Sequence, residues 1–153
     1  MRLIKLALIS FFFLFGIVFL ISLLYPSQLR ISRATNLPNN RQHLFNLLAN
    51  EAYWHPAYTD STSAKAIKGM TRTELKKTDS TYSYVLQQSG RKKVGNGWEI
   101  YGSPNADSLT LQWYMDFQFS WYPWEKFSSL FYESTYGSMM ETGLGNIKKS
   151  LSN

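Results

Sequence analysis

Cysteine is absent from all 153 residues. That excludes disulfides, thiolate metal sites and cysteine nucleophiles. Histidine is nearly absent too: His43 and His55 are the whole supply. Two isolated imidazoles make a poor metal site, so neither a metal nor any other cofactor is expected. Concentrated positive charge is also lacking. The net charge is +6, and beyond residue 26 the adjacent basic residues are Lys76-Lys77, Lys92-Lys93 (after Arg91) and Lys148-Lys149. A nucleic-acid binder would gather its cations on one face or stripe, so no nucleic-acid partner is expected. Gly95-Asn96-Gly97 and Gly143-Leu144-Gly145 lack the strand-to-helix setting of a phosphate loop. Turn and packing roles account for them.

Catalytic carboxylates are equally scarce. Acid-base chemistry needs paired groups turned into one cavity. Asp116 and Glu99 both stand among alternating apolar residues, in the phase that faces water. Ser128 and Ser138 have no visible His-Asp partners, which weakens nucleophilic catalysis.

An abundance of apolar and aromatic residues stands against these absences. Leu6 to Leu24 reads LALISFFFLFGIVFLISLL, without a charge. At about 1.5 Å per residue it extends roughly 29 Å, close to the hydrocarbon thickness of a bilayer. Tyr25 follows, where a ring suits the headgroup layer. A cleaved signal peptide is the rival reading. The run is long for one, and Leu24-Tyr25-Pro26 closes it where a small-x-small pair would be needed. The expected layout is a membrane anchor over residues 1–26 and a domain over 27–153. Positive charges nearly balance across the span, with Arg2 and Lys5 before it and Arg30 and Arg33 after it. The reading adopted places the amino terminus in the cytoplasm and the domain outside it.

Beyond the span, Gln28 to Asn36 has strand character. Asn39 is positioned to cap a helix from about Asn40 to Ala49, with Gln42 reaching back to it. Five further strands follow: KAIKGM (65–70), TRTELKKT (71–78), TYSYVLQQ (81–88), NGWEIYG (96–102) and SLTLQWYMDFQF (108–119). Short turns between them imply antiparallel neighbours.

The last strand carries the sharpest signal. Leu109, Leu111, Trp113, Met115, Phe117 and Phe119 alternate with Thr110, Gln112, Tyr114, Asp116 and Gln118. Strand side chains alternate between faces, so one side is dry and the other wet. After Trp121 the period becomes helical, with Pro123 in the first turn. Trp124, Phe127, Leu130 and Phe131 form one stripe. Met140, Gly143, Leu144 and Ile147 form a second. Gly137 and the capping-box pattern Ser138-Met139-Met140-Glu141 predict a break or kink between them. Gly143 and Gly145 suggest close approach of this helix to the sheet. A terminal helix must bury its apolar stripe, and the dry sheet face is the available partner.

Two segments carry a resemblance. ATNLPNNRQHLFNLLANEAYW, with the pair Leu44-Phe45 and then Trp54, resembles the opening of the START-like superfamily, also called polyketide cyclase/dehydrase or SRPBCC. The ending WYPWEKFSSLFYESTYGSMMETGLGNIKKSL is similar to the terminal helix of membrane-anchored bacterial members. Those often read Gly-Leu-x-Asn-Leu-Lys, matched by Gly143, Leu144, Asn146, Ile147 and Lys148. The two segments cover about a third of the chain. A second Trp usual after the first helix is missing, with Tyr58 standing nearest.

The resemblance implies an α+β helix-grip fold: a curved antiparallel sheet wrapped around a long C-terminal helix, with a hydrophobic cavity between them. It also implies a bacterial, inner-membrane setting and a hydrophobic small molecule or lipid as partner, bound without being transformed. The expected lining is Phe45, Leu48, Trp54, Trp98, Trp113, Met115, Phe117, Met140, Leu144 and Ile147. The superfamily also holds cyclase- and hydratase-type enzymes. His55 is the one acid-base candidate for such a reading. A third reading is a filled core serving as a tethered interaction module, with an exposed apolar patch built from Tyr122, Trp124 and Tyr132.

Overall fold

The computed structural model describes residues 2–51, 55–56, 70–88, 90 and 92–152. Helix α1 (Arg2–Leu23) comes first and is almost wholly exposed along its length. It is long and apolar enough to cross a membrane, a property that a signal sequence shares. Strand β1 (Gln28–Pro38) and helix α2 (Arg41–Ala49) follow. Next come β2 (Thr71–Lys77), β3 (Thr81–Gln87), β4 (Val94–Tyr101) and β5 (Ser108–Gln118). Helix α3 (Pro123–Ser128) leads through a 3₁₀ turn (Ser129–Phe131) into α4 (Tyr132–Ser152).

The described strands form one antiparallel sheet in the order β1-β5-β4-β3-β2. Register places Leu29 opposite Phe117, Ile31 opposite Met115, Trp98 opposite Trp113 and Ile100 opposite Leu111. These residues share the concave face, against which α4 packs. The helix-grip expectation therefore holds, and the dry face of β5 points at the helix: the Phe117 ring lies 5.0 Å from that of Tyr132 and 4.6 Å from that of Tyr136. On the convex face, Arg30 holds Asp116 through two bonds of 2.7 and 2.8 Å and lies over the Tyr114 ring. Asp116 is thus on the wet side, as its phase requires.

Four expectations need correction. Five strands are present among the described residues, where six were expected. Residues 65–69 of the sixth lie outside the described residues, and Met70 is not in a strand. Gly95-Asn96-Gly97 is no turn but the middle of β4. Glycine is required there because side chains of β5 cover its backbone: a Cβ on Gly97 would lie 2.4 Å from the Tyr114 ring. The helix cap is Asn40, whose side chain accepts from the His43 amide at 3.1 Å. Asn39 instead donates to the carbonyls of Ser103, Pro104 and Ala106, tying α2 to the β4–β5 turn.

The fourth correction concerns the C-terminal helix, which runs unbroken through Gly137. The reason lies on β1. Arg33 sits in the inward phase of that strand and reaches α4, donating to Glu133 and to Glu141 at 2.7 Å each. A Cβ on Gly137 would stand 2.4 Å from this guanidinium. Gly137 is a socket for Arg33, and Glu141 serves the same clamp where a capping box would have turned it back. Gly143 is buried. Gly145, by contrast, has nothing within 4 Å of its missing Cβ, so no close approach explains it.

Candidate functional site

The concave face begins as alternating residues on three neighbouring strands. Met115 and Phe117 of β5, Val94 of β4, and Leu86 with Gln88 at the end of β3 bring their side chains to one end of the sheet. Tyr132 and Tyr136 of α4 stand opposite. Their rings brace Phe117, while Phe119 closes one side against Tyr132 at 5.3 Å. Between them lies a cavity of about 470 Å³. Its rim is polar: Lys92 bonds both Ser120 and Glu125. That contact holds the Glu125 carboxyl below its usual range. Gln88 also lines the cavity, though its Oε1 atom is itself buried, with no hydrogen-bond partner among the described residues.

A second hollow, of about 520 Å³, lies between α2 and the β2–β3 edge. Phe45 and Leu48 line it, with Arg72, Glu74 and Tyr82. Its walls are more charged than those of the first.

The expected lining residues therefore part company. Met115 and Phe117 border the first cavity, and Phe45 and Leu48 border the second. Trp98, Trp113, Met140, Leu144 and Ile147 belong to the closed core and line neither. Trp54 lies outside the described residues, as does Tyr58.

Next to the cavities the concave face carries a buried polar chain. Trp98 and Trp113 stack at 4.7 Å. Trp113 Nε1–H donates to Asn96 Oδ1 at 2.6 Å, and Asn96 Nδ2 donates to Tyr84 Oη at 2.7 Å. Tyr84 donates to Glu51 at 2.6 Å, and Arg72 pairs with the same carboxylate at 3.0 Å while stacking on the Tyr84 ring. Burial, reinforced by Glu51, pushes the Tyr84 phenol far above its ordinary value, so it stays a donor. His55 is buried, its ring 5.3 Å from that of Trp113. Burial lowers its pKa, against the opposing pull of Glu51.

Sequence reasoning missed Gln88, Val94, Tyr132 and Tyr136 as cavity residues. The signal for the two tyrosines was present: 132, 136, 140, 144 and 147 form one continuous helical stripe, which the expected break at Gly137 cut in two. It also misassigned the preceding stripe. Trp124, Leu130 and Phe131 are exposed; for Leu130 and Phe131 the 3₁₀ turn, at about three residues per turn, shifts the helical phase. Of the expected patch residues, Trp124 is outward, Tyr122 stacks on it at 4.8 Å, and Tyr132 faces the cavity. The Asn96–Tyr84–Glu51–Arg72 chain went unread because its members are far apart in sequence.

No known family profile matches the sequence, and no curated protein matches it. Solved structures do. An uncharacterised protein of Bacillus thuringiensis superimposes with a TM-score of 0.53 at 8% identity, over 82% of this chain and 100% of that one. Protein XoxI of Bacillus cereus gives 0.53 at 8% identity, over 81% and 96%. A hypothetical protein of Helicobacter pylori gives 0.53 at 8% identity, over 80% and 88%. At such identity the likeness shows the fold alone.

Proposed function

We propose that this chain is a membrane-anchored START-like protein that binds a hydrophobic small molecule or lipid, without transforming it, in the cavity between sheet and α4. The observation that carries this reading is the hollow of about 470 Å³ walled by Leu86, Val94, Met115, Phe117, Tyr132 and Tyr136. Its size falls in the range of small-molecule sites, and a largely apolar wall with polar groups at the rim is their usual composition. Affinity would come from apolar surface buried at roughly 25 cal/mol per Å², less the cost of association. Helix α1 would span the bacterial inner membrane, with the domain outside the cytoplasm, and would hold the cavity near the phase into which such ligands partition.

Residues 27–153, purified from cells and extracted with organic solvent, should release an apolar compound. The emptied fragment should take up an apolar fluorescent probe, and Met115→Trp, which fills the cavity, should abolish uptake while the fold persists. No released compound together with no probe uptake would end this reading.

The enzyme reading keeps one supporting observation: His55 is buried beside the Glu51–Tyr84 pair, where an acid-base group would belong. Against it, His55 lines neither described hollow. His55→Gln should leave probe uptake intact. Loss of turnover of a polyketide-like substrate in that variant would favour the enzyme.

A further inference from the structure

An apolar patch lies exposed beside the end of α1. Trp121, Trp124, Leu130 and Phe131 are 59%, 62%, 54% and 71% exposed. Soluble surfaces rarely gather such side chains unless something covers them. The contacts of α1 indicate what does. Trp121 packs edge-on against Phe19 at 6.1 Å, and Tyr25 packs on Phe127 at 5.6 Å. Ser22 is fully buried. Lys126, itself 5% exposed, donates to the Tyr25 carbonyl at 2.9 Å and fixes the linker. Four residues, Leu24 to Ser27, separate α1 from β1.

Depth follows from these contacts. Phe19 lies five residues before Leu24, the last residue of the apolar run. At about 1.5 Å per residue that is roughly 7 Å below the end of the span. A side chain pinned to Phe19 stands at that level also. We propose that Trp121, Trp124, Leu130 and Phe131 form a platform embedded in the headgroup and upper acyl region of the bilayer that α1 crosses. This rests on the reading that α1 spans. The domain is then seated on the membrane and does not swing on a tether. Indole rings suit that depth, having an apolar body and a polar N–H. The platform adjoins Glu125, Ser128 and Tyr132 of the cavity wall. The cavity wall therefore runs up to the platform's edge.

The full chain, reconstituted in phosphatidylcholine–phosphatidylglycerol vesicles, tests this through its tryptophans. The emission lost in Trp121→Phe/Trp124→Phe reports the platform. That component should be quenched by lipids brominated near the headgroup several-fold more than by aqueous acrylamide. Quenching by acrylamide alone would put the platform in water and overturn the proposal. Protection from both quenchers would assign the patch to a second copy of the chain and overturn it equally. Alkaline carbonate extraction reads α1 separately. Release from the vesicles would remove the span and this proposal together, whereas retention with a water-exposed platform would remove the proposal alone. Probe uptake by residues 27–153 is independent of either result.

Discussion

The interface between sheet and α4 has two halves built on one strand face, and they end differently. Toward the start of β5, Leu109, Leu111 and Trp113 join Met140, Leu144 and Ile147 in a closed core. Toward its end, Met115 and Phe117 look across at Tyr132 and Tyr136, and about 470 Å³ stays open. Aliphatic side chains interdigitate to the density of a crystal. Rings that meet edge to face, as Phe117 and Tyr132 do at 79°, prop the elements apart. Alternation along a strand tells which face is dry. Whether that face is filled depends on the wall opposite.

Truncation should separate the halves most strongly. Trp113→Ala removes a fully buried ring and leaves Asn96 Oδ1 without its donor. It should cost about 3–5 kcal/mol in chemical denaturation of the full chain. Phe117→Ala, at a ring that borders the cavity, should cost less, about 2–3 kcal/mol, while weakening probe uptake. Equal losses at the two sites would erase the distinction between sealed and hollow.

The next effect tests what holds the hollow half together. Gly137→Ala places a methyl 2.4 Å from Arg33 Nη2 and must push the guanidinium away from Glu133 and Glu141. Ala is the better helix former by about 1 kcal/mol, yet the variant should lose up to about 1 kcal/mol net, because two ion pairs, each worth up to about 1 kcal/mol at such exposure, are displaced together. A stabilised variant would show that Arg33 contributes nothing to docking α4.

These residues also mark how far the sequence could be read. The period-2 pattern of β5 and the helical stripe ending at Ile147 were enough for the architecture, because both are local signals of burial. Three things were not local. Arg33 stands in the dry phase of β1, and only a partner pair on α4 makes that tolerable. Asn96 lies between two glycines, which read as a turn until Tyr114 is seen covering Gly97. The cavity is space left by side chains of four elements, so no single segment announces it. Helical rules failed at Gly137 for the same reason: a glycine that breaks a lone helix can, in a folded protein, be the seat of another residue.

A smaller effect belongs to the sealed half. The His55 imidazole is held below its ordinary value of 6.5 by burial against Trp113. The folded chain therefore binds fewer protons than the unfolded chain as pH falls through that value. The contribution of neutral His55 is fully present above it and is lost going down. Thermal unfolding should shift down by a few degrees between about pH 7.5 and about pH 5.5, and His55→Gln should flatten that part of the profile. An unchanged profile in the variant would mean that the imidazole can turn to solvent, and that the sealed half is looser than its packing implies.

The smallest effect has the opposite sign and sharpens the comparison along α4 itself. Gly145 sits two turns beyond the Arg33 socket, and a Cβ there meets nothing within 4 Å. Gly145→Ala should therefore stabilise the chain by up to about 1 kcal/mol, the full propensity difference. The same substitution at two glycines of one helix thus separates a residue kept for its partner from one that α4 does not need. If both variants lose stability, Gly145 has a neighbour beyond those seen in the single chain, and the distal half of α4 is a contact surface as well.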